Sequence, residues 1–344
     1  MSDTVIMPRP QAHPLAGQVM SGAQMIVQVV ADEGTSAIFG YSGGAILPTY
    51  DAVSLYNEAQ KLAGNALIPL IVPANEQGAG FMAAGYARSS GRVGVALVTS
   101  GPGATNTVTP IRDCMADSVP IVVICGQVPT AAIGSDAFQE APVASIMGAV
   151  AKHVFLVTDP VKLEATVRTA FEVARTGRPG PVVIDIPKDV QNWKGEFHGH
   201  GTLAIPGYRR RMDTCAVSAL AAEDAARFFE LLAESKRPLI YAGGGVINGE
   251  ASAALREFAA AFELPVVTTL MGIGAMDTTD PRCLRMLGMH GAAFANYAVE
   301  DCDFLITAGA RFDDRVAGDP QRFAANARAI VQLDIDRAEI NKVK

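Results

Sequence analysis

Short runs of Val and Ile recur along this chain with room for one helix between each pair, and that spacing limits its folds more than any other feature. In the first half the runs are residues 37–39, 67–72, 93–99, 121–125 and 182–186. They are almost continuously apolar, as strands are when both faces of a sheet are covered. Longer amphipathic stretches at 17–33, 76–89, 105–116 and 161–175 predict helices between them. Strand and helix alternating in this way predict a parallel sheet with crossover helices. The pattern resumes later, with strands expected at 239–242, 266–268, 304–308 and 330–334 and helices at 219–233, 251–262 and 292–299. Residues 337–344 begin like one more helix. The expected fold class is α/β, with two doubly wound, mainly parallel-sheet domains. The map runs as a tail at 1–16, a first domain at 17–189, a linker at 190–214 and a second domain at 215–344. The linker carries Arg209-Arg-Arg211, which suits either an anion or a solvated face.

Filling two sheets takes apolar material: of 344 residues, 49% are hydrophobic and 18% charged. Average soluble domains carry roughly 25% charge, so part of this surface is expected to lie against another one. The apolar content excludes disorder. A net charge of −7 argues against nonspecific binding to nucleic acid or an anionic membrane. Uncharged stretches at 93–111 and 118–135 are interrupted by Gly, Pro, Ser and Thr, which suits buried strands and turns rather than a spanning helix. Cys114, Cys125, Cys215, Cys283 and Cys302 form no C-x-x-C pair and read as reduced thiols of a cytoplasmic protein. They have no metal-site spacing, and no metal ligands are assigned.

Ligands of open α/β sheets bind beyond the carboxyl ends of the strands. Four glycine-rich segments fall there: Gly40-Tyr-Ser-Gly-Gly-Ala45, Thr99-Ser-Gly-Pro-Gly-Ala-Thr-Asn106, Gly243-Gly-Gly245 and Thr269-Leu-Met-Gly272. Their N–H groups suit phosphates or oxyanions, and each also suits a plain tight turn. None is a G-x-G-x-x-G or Walker motif. Glu76 is the only acid between Glu58 and Asp113, at a strand–helix junction rich in Gly and Ala. It reads either as a carboxyl that shares a proton with a ring nitrogen or as a first-turn Glu behind an Asn75 N-cap.

Glu76-Gln-Gly, Ser100-Gly-Pro-Gly-Ala-Thr-Asn106, Gly126-Gln-Val-Pro129, Asp136-Ala-Phe-Gln-Glu140, Gly177-Arg-Pro-Gly-Pro-Val182 and Asp185-Ile-Pro-Lys-Asp189 together resemble the thiamine-diphosphate-dependent decarboxylases and carboligases. Within that superfamily the similarity is to the acetolactate (acetohydroxyacid) synthase large catalytic subunits. Thr269-Leu-Met-Gly272, Met286-Leu-Gly-Met-His-Gly291, Ala295-Asn-Tyr-Ala298 and Ala310-Arg-Phe-Asp-Asp-Arg-Val316 resemble the same family's FAD-binding central domain. The resemblance runs from about Val19 to Lys344.

It implies decarboxylation of pyruvate on thiamine diphosphate and condensation of the two-carbon unit with pyruvate or 2-oxobutanoate, in branched-chain amino-acid synthesis. Glu76 takes the pyrimidine-nitrogen role, Gly44 an oxyanion-donor role, and Gln139 a place beside the cofactor. Ser118, Pro129, Phe138, Lys152, Lys188, Asp314 and Arg315 match channel positions. Ser118 and Pro129 also read as turn residues, and Phe138 as ordinary packing. Arg178, Gly244, Gly245, Leu270, Met271, Gly288, Met289, His290, Gly291, Arg311, Asp313, Asp334 and Ile335 match contacts to an FAD that has no redox role in turnover. The implied partners are further copies, as homodimer or tetramer, and a small regulatory subunit. A noncatalytic FAD-binding assembly module, another carboligase and a pyruvate oxidase are the alternatives.

The sequence departs from the family pattern at Asn75, where His is usual, at Ala74, where Arg is usual, and at Tyr41-Ser-Gly, where Tyr-Pro-Gly is usual. Residues 55–66 also form a longer segment. The Gly-Asp-Gly set that holds Mg²⁺ and the diphosphate occurs nowhere in the chain. Those ligands are therefore expected in a diphosphate-binding domain outside these residues, and the second domain is expected to be truncated and the chain inactive alone.

Overall fold

The computed structural model describes residues 12–215 and 220–344. The chain divides into two units, one ending at Pro206 and the other beginning at Gly207.

The first unit contains β1 (Val19–Ser21), β2 (Ile38–Tyr41), β3 (Leu70–Ile71), β4 (Gly94–Val98), β5 (Ile121–Gln127), β6 (His153–Leu156), β7 (Val182–Pro187) and β8 (Lys194–Glu196). Six of them form one sheet in the order β3-β2-β4-β5-β7-β6, parallel throughout. Ala96, Val98, Val123 and Cys125 point into a core completed by Ala79, Ala83, Ala84 and Ile111 from the helices Glu76–Ser90 and Val108–Asp117. Their alternates Val95, Leu97, Val122 and Ile124 are fully buried as well. The unbroken apolar runs follow from this double burial.

Helix starts follow local chemistry. Ser21 forms a reciprocal capping box with Gln24 ahead of Gly22–Asp32, and Asn75 caps Glu76–Ser90 by accepting from the Gly78 N–H at 2.8 Å. The helix Leu47–Leu62 has no counterpart among the sequence expectations. It buries only Thr49, Ala52 and Val53, too few to give a readable apolar stripe.

The expected linker at 190–214 is structured at both ends. Gln191 and Phe197 are buried, and β8 pairs antiparallel with β1. Glu164, buried in the helix Leu163–Arg175, accepts from the N–H groups of His198 and Gly199 at 2.8 Å each. It also pairs with Arg168 at 3.2 Å, and Arg168 reaches Asp32 at 2.7 Å. These bonds hold the segment on the first unit, while the helix Tyr208–Cys215 opens the second.

The second unit has β9 (Pro238–Ala242), β10 (Val266–Thr268), β11 (Cys283–Met286), β12 (Phe304–Ala308) and β13 (Ala329–Leu333) in the order β11-β10-β9-β12-β13, all parallel. Two cores cover its faces. One takes Ile240, Val266 and Ile306, the other Leu239, Tyr241, Val267 and Leu305. The helix expected at 337–344 is only a 3₁₀ turn, Arg337–Glu339, closed by Asp336 accepting from the Ala338 N–H.

Candidate functional site

In the first sheet the chain leaves β2 toward β3 on one side and later builds β4 and β5 on the other. The carboxyl ends of β2 and β4 therefore flank a topological switch point. Their turns meet at Thr99. A Cβ on Gly43 would lie 2.5 Å from that side chain, and one on Gly103 would lie 2.7 Å from it and 3.5 Å from Glu76 Oε1. Packing demands glycine at both positions. Gly44 differs, because a Cβ there would meet nothing within 4 Å.

Glu76 opens its helix beside this turn and is only 8% exposed. Asn106 Nδ2 donates to its Oε2 at 2.9 Å, and Oε1 receives no bond from the described residues. The Asn75 cap and a buried Glu76 carboxyl coexist at this junction. Burial, reinforced by the nearby Glu76 charge, raises the Tyr50 phenol above its usual range. Asn106 is legible only as part of its motif, since its contact with Glu76 joins residues thirty apart in sequence.

Beyond β5, residues 128–141 carry Pro129, Phe138 and Gln139. Phe138 is 88% exposed. Gln139 has a left-handed backbone, φ 58°, and its carbonyl oxygen fills the space where Gly101 would carry a Cβ. This seats the loop on the Ser100–Gly101 turn. Lys188 begins the short helix Lys188–Asn192 after β7, at the same end of the sheet.

Ser118, Lys152 and Arg178 lie at the other end, ahead of β5, β6 and β7. Arg178 Nε donates to Ser118 Oγ at 2.9 Å, and Lys152 Nζ donates to the Thr176 carbonyl at 2.6 Å. Within the first unit these three are together, but they are not beside Glu76.

In the second sheet the switch point lies between β9 and β12. All five strands deliver candidates to their carboxyl ends: Gly244 and Gly245 after β9, Leu270 and Met271 after β10, Gly288 to Gly291 after β11, Arg311 to Arg315 after β12, Asp334 and Ile335 after β13. The β9 and β12 turns interlock. Gly245 N–H donates to the Gly309 carbonyl at 2.9 Å, and a Cβ on Gly245 would sit 2.7 Å from Gly309 Cα. Leu270, Met289 and Ile335 are exposed around them. Two residues have supporting roles that the sequence does not assign, Asn296 being legible only as part of its motif. Asn296 accepts from the Gly288 N–H at 2.8 Å and donates to its carbonyl at 3.0 Å. Tyr241 donates to the Arg311 carbonyl at 2.8 Å. Both side chains hold backbone that carries candidates, a role invisible without the turn's geometry. Asp313 accepts from the Arg315 N–H at 3.0 Å, fixing the start of the short helix that bears Asp314 and Arg315.

A separate cavity of about 290 Å³ in the second unit is lined by apolar residues including Phe228, Val246, Leu255, Phe258 and Ile306. None of the candidate contacts lines it. All five cysteines are free. Burial lifts the Cys114 thiol to about 12 and that of Cys302 to about 11, which makes both poor nucleophiles. Among the described residues no cluster of His, Cys, Asp and Glu could hold a metal, and no helix is long and apolar enough to cross a membrane.

The two doubly wound units are each matched by a known domain family. Residues 20–147 match the thiamine pyrophosphate enzyme N-terminal TPP binding domain, and residues 225–344 match the central domain of the same enzymes. The chain belongs to the thiamine pyrophosphate enzymes.

Among its curated relatives are acetolactate synthase large subunits. It is 45% identical to the acetolactate synthase large subunit of Corynebacterium glutamicum over 96% of this chain and 50% of the relative. It is 44% identical to the isozyme 2 large subunit of Escherichia coli, over 94% of this chain and 56% of the relative. With the probable large subunit of Methanocaldococcus jannaschii the identity is 46%, over 94% and 52%. The chain thus spans about half the length of the curated relatives it matches.

Proposed function

We propose that this chain forms the pyrimidine-binding and central portions of an acetolactate synthase large subunit. The observation that carries the reading is Glu76, a buried carboxylate with one oxygen held by Asn106 and the other free at the switch point. The thiamine group fits this donor set, because a carboxyl fixed at one oxygen can hold a proton against a ring nitrogen at the other. Bound there, thiamine diphosphate supplies the electron sink for decarboxylating pyruvate and joining the two-carbon unit to pyruvate or 2-oxobutanoate. Asn106 fixes the carboxyl's rotamer. The Gly44 N–H, on the open side of its turn, is the donor for oxygen charge developing on the substrate. Pro129, Phe138, Gln139 and Lys188 would line the approach of the 2-oxo acid and orient it.

The second unit would hold FAD at the carboxyl ends of its five strands. The interlocked Gly245 and Gly309 turns present backbone there, and Leu270, Met289 and Ile335 offer apolar contact. Asp314 and Arg315 would line the channel. Mg²⁺ and the diphosphate would be held by residues outside this chain. Assembly as a homodimer or tetramer with a small regulatory subunit, in the cytoplasm and in branched-chain amino-acid synthesis, completes the reading. In an assembly supplied with a diphosphate-binding domain, Glu76→Gln should lower acetolactate formation by about 10²- to 10⁴-fold. Near-normal turnover would remove Glu76 from the mechanism.

A further inference from the structure

Three stretches far apart in sequence are bonded into one structure at the base of the loop 128–141. Gln127, the last residue of β5, ties them. Its Oε1 accepts from the Val128 N–H at 2.8 Å, where the loop begins. Its Nε2 donates to the Ala141 carbonyl at 3.3 Å, where the loop ends, and to Asp185 Oδ2 on β7 at 3.0 Å. Gln127 is 2% exposed and Asp185 1%. Asp185 Oδ1 has no hydrogen-bond partner among the described residues, so the carboxyl serves Gln127 alone.

Farther along, Thr130 gives its N–H to Asp189 at 3.0 Å and its hydroxyl to the same carboxylate at 2.5 Å. Glu140 accepts from the N–H groups of Gly134 and Ala137 across the tip. The side chain of Phe138 projects into solvent, and Gln139 has a left-handed backbone. Neither has a core of its own: they are placed by the bonds at the loop's base together with the seat of Gln139 on the Gly101 turn.

The sequence Val-Val-Ile-Asp-Ile-Pro of β7 is otherwise a buried apolar strand. Another branched apolar residue at 185 would serve such a core better than a carboxyl, whose burial is costly. Burial raises this carboxyl to about 7. A polar group kept at that cost belongs to something other than the core's stability.

We propose that Asp185, acting through the Gln127 amide, is a positioning residue that fixes the loop 128–141 and with it Pro129, Phe138 and Gln139 over the carboxyl end of the sheet. The importance of those three residues rests on the carboligase reading; the clamp itself does not.

The test is backbone amide hydrogen exchange on the full chain, without cofactor or substrate. Gln127→Asn shortens the amide so that it cannot span its three partners, and Asp185→Leu removes the acceptor. Each should speed exchange across 128–141 by roughly tenfold or more, the scale of lost buried hydrogen bonds, while β4 and β5 keep their protection. Asp185→Asn retains an acceptor oxygen and should restore loop protection to within about threefold of the wild type. Unchanged loop exchange in Gln127→Asn would overturn the proposal. So would acceleration spread evenly over the sheet and the loop, or an Asp185→Asn variant no better than Asp185→Leu. Loop release alongside a catalytically silent Glu76→Gln would reject the carboligase reading and keep the clamp.

Discussion

Asp185 and Glu76 are both buried acids at the carboxyl end of one sheet, yet their partners set them different tasks. Asn106 holds Glu76 by one oxygen and leaves the other facing the switch point. Asp185 lies deeper, with only the Gln127 amide for company. Burial raises the Asp185 carboxyl from 3.8 to about 7, and the Gln127 bond offsets only part of that. The folded protein therefore holds this proton more tightly than the unfolded chain does. The associated stability is fully present below the unfolded value near 4 and is lost as pH rises through about 7. Asp185→Asn cannot ionise and removes that loss. Its stability relative to the wild type should grow by on the order of 2–3 kcal/mol between pH 5 and 8, read by urea denaturation at each pH. A constant difference would mean that Asp185 stays ionised in the folded state. Glu76 was legible in sequence because it stands alone between Glu58 and Asp113 at a strand–helix junction. The Asp185–Gln127 contact was not, because two motifs on adjacent parallel strands show no local sign of their register.

Elements were legible in proportion to how completely they are buried. β5 and β7, covered on both faces, read directly as apolar runs, and β10 and β12 fall on the expected residues. The half-buried edge strands β6 and β11 carry His153 and Arg285 and show no such run. The segment 193–199 reads as linker because it is short of an apolar run and interrupted by Gly; what holds it is Glu164, reaching from a helix some thirty residues earlier. Glu164→Ala strips two N–H groups of their acceptor and leaves Arg168 with Asp32 and the face of Phe197. It should destabilise the first unit by on the order of 2–4 kcal/mol. Trp193, the only tryptophan in the chain, begins this segment and reports its release by fluorescence. Glu164→Gln keeps an acceptor and should cost clearly less. Equal losses would assign the effect to the Arg168 ion pair instead of the strap.

Across the whole chain the same architecture is used twice, and in each unit most candidate residues lie at the carboxyl ends of a parallel sheet that reverses its strand order, with Ser118, Lys152 and Arg178 at the opposite end of the first. The two sites call for different chemistry. The first places a buried carboxylate at its switch point, whereas the second presents interlocked glycine turns and exposed apolar side chains. If the second site takes FAD, ligand-linked stability follows from mass action. Free flavin at 100 times its Kd adds about 2.7 kcal/mol to the state that binds it, seen as a rise in Tm that grows with flavin concentration. Asn296 does not number among the proposed flavin contacts, but both its amide atoms hold Gly288, at the head of the turn that bears Met289 and His290. Asn296→Ala removes both of these part-buried bonds and should therefore weaken flavin binding by roughly tenfold or more at a preorganised site. Glu76→Gln should leave flavin binding unchanged while removing the thiamine-dependent chemistry. Flavin affinity that falls with Glu76→Gln and survives Asn296→Ala would place the flavin elsewhere and break the division of labour between the two sheets.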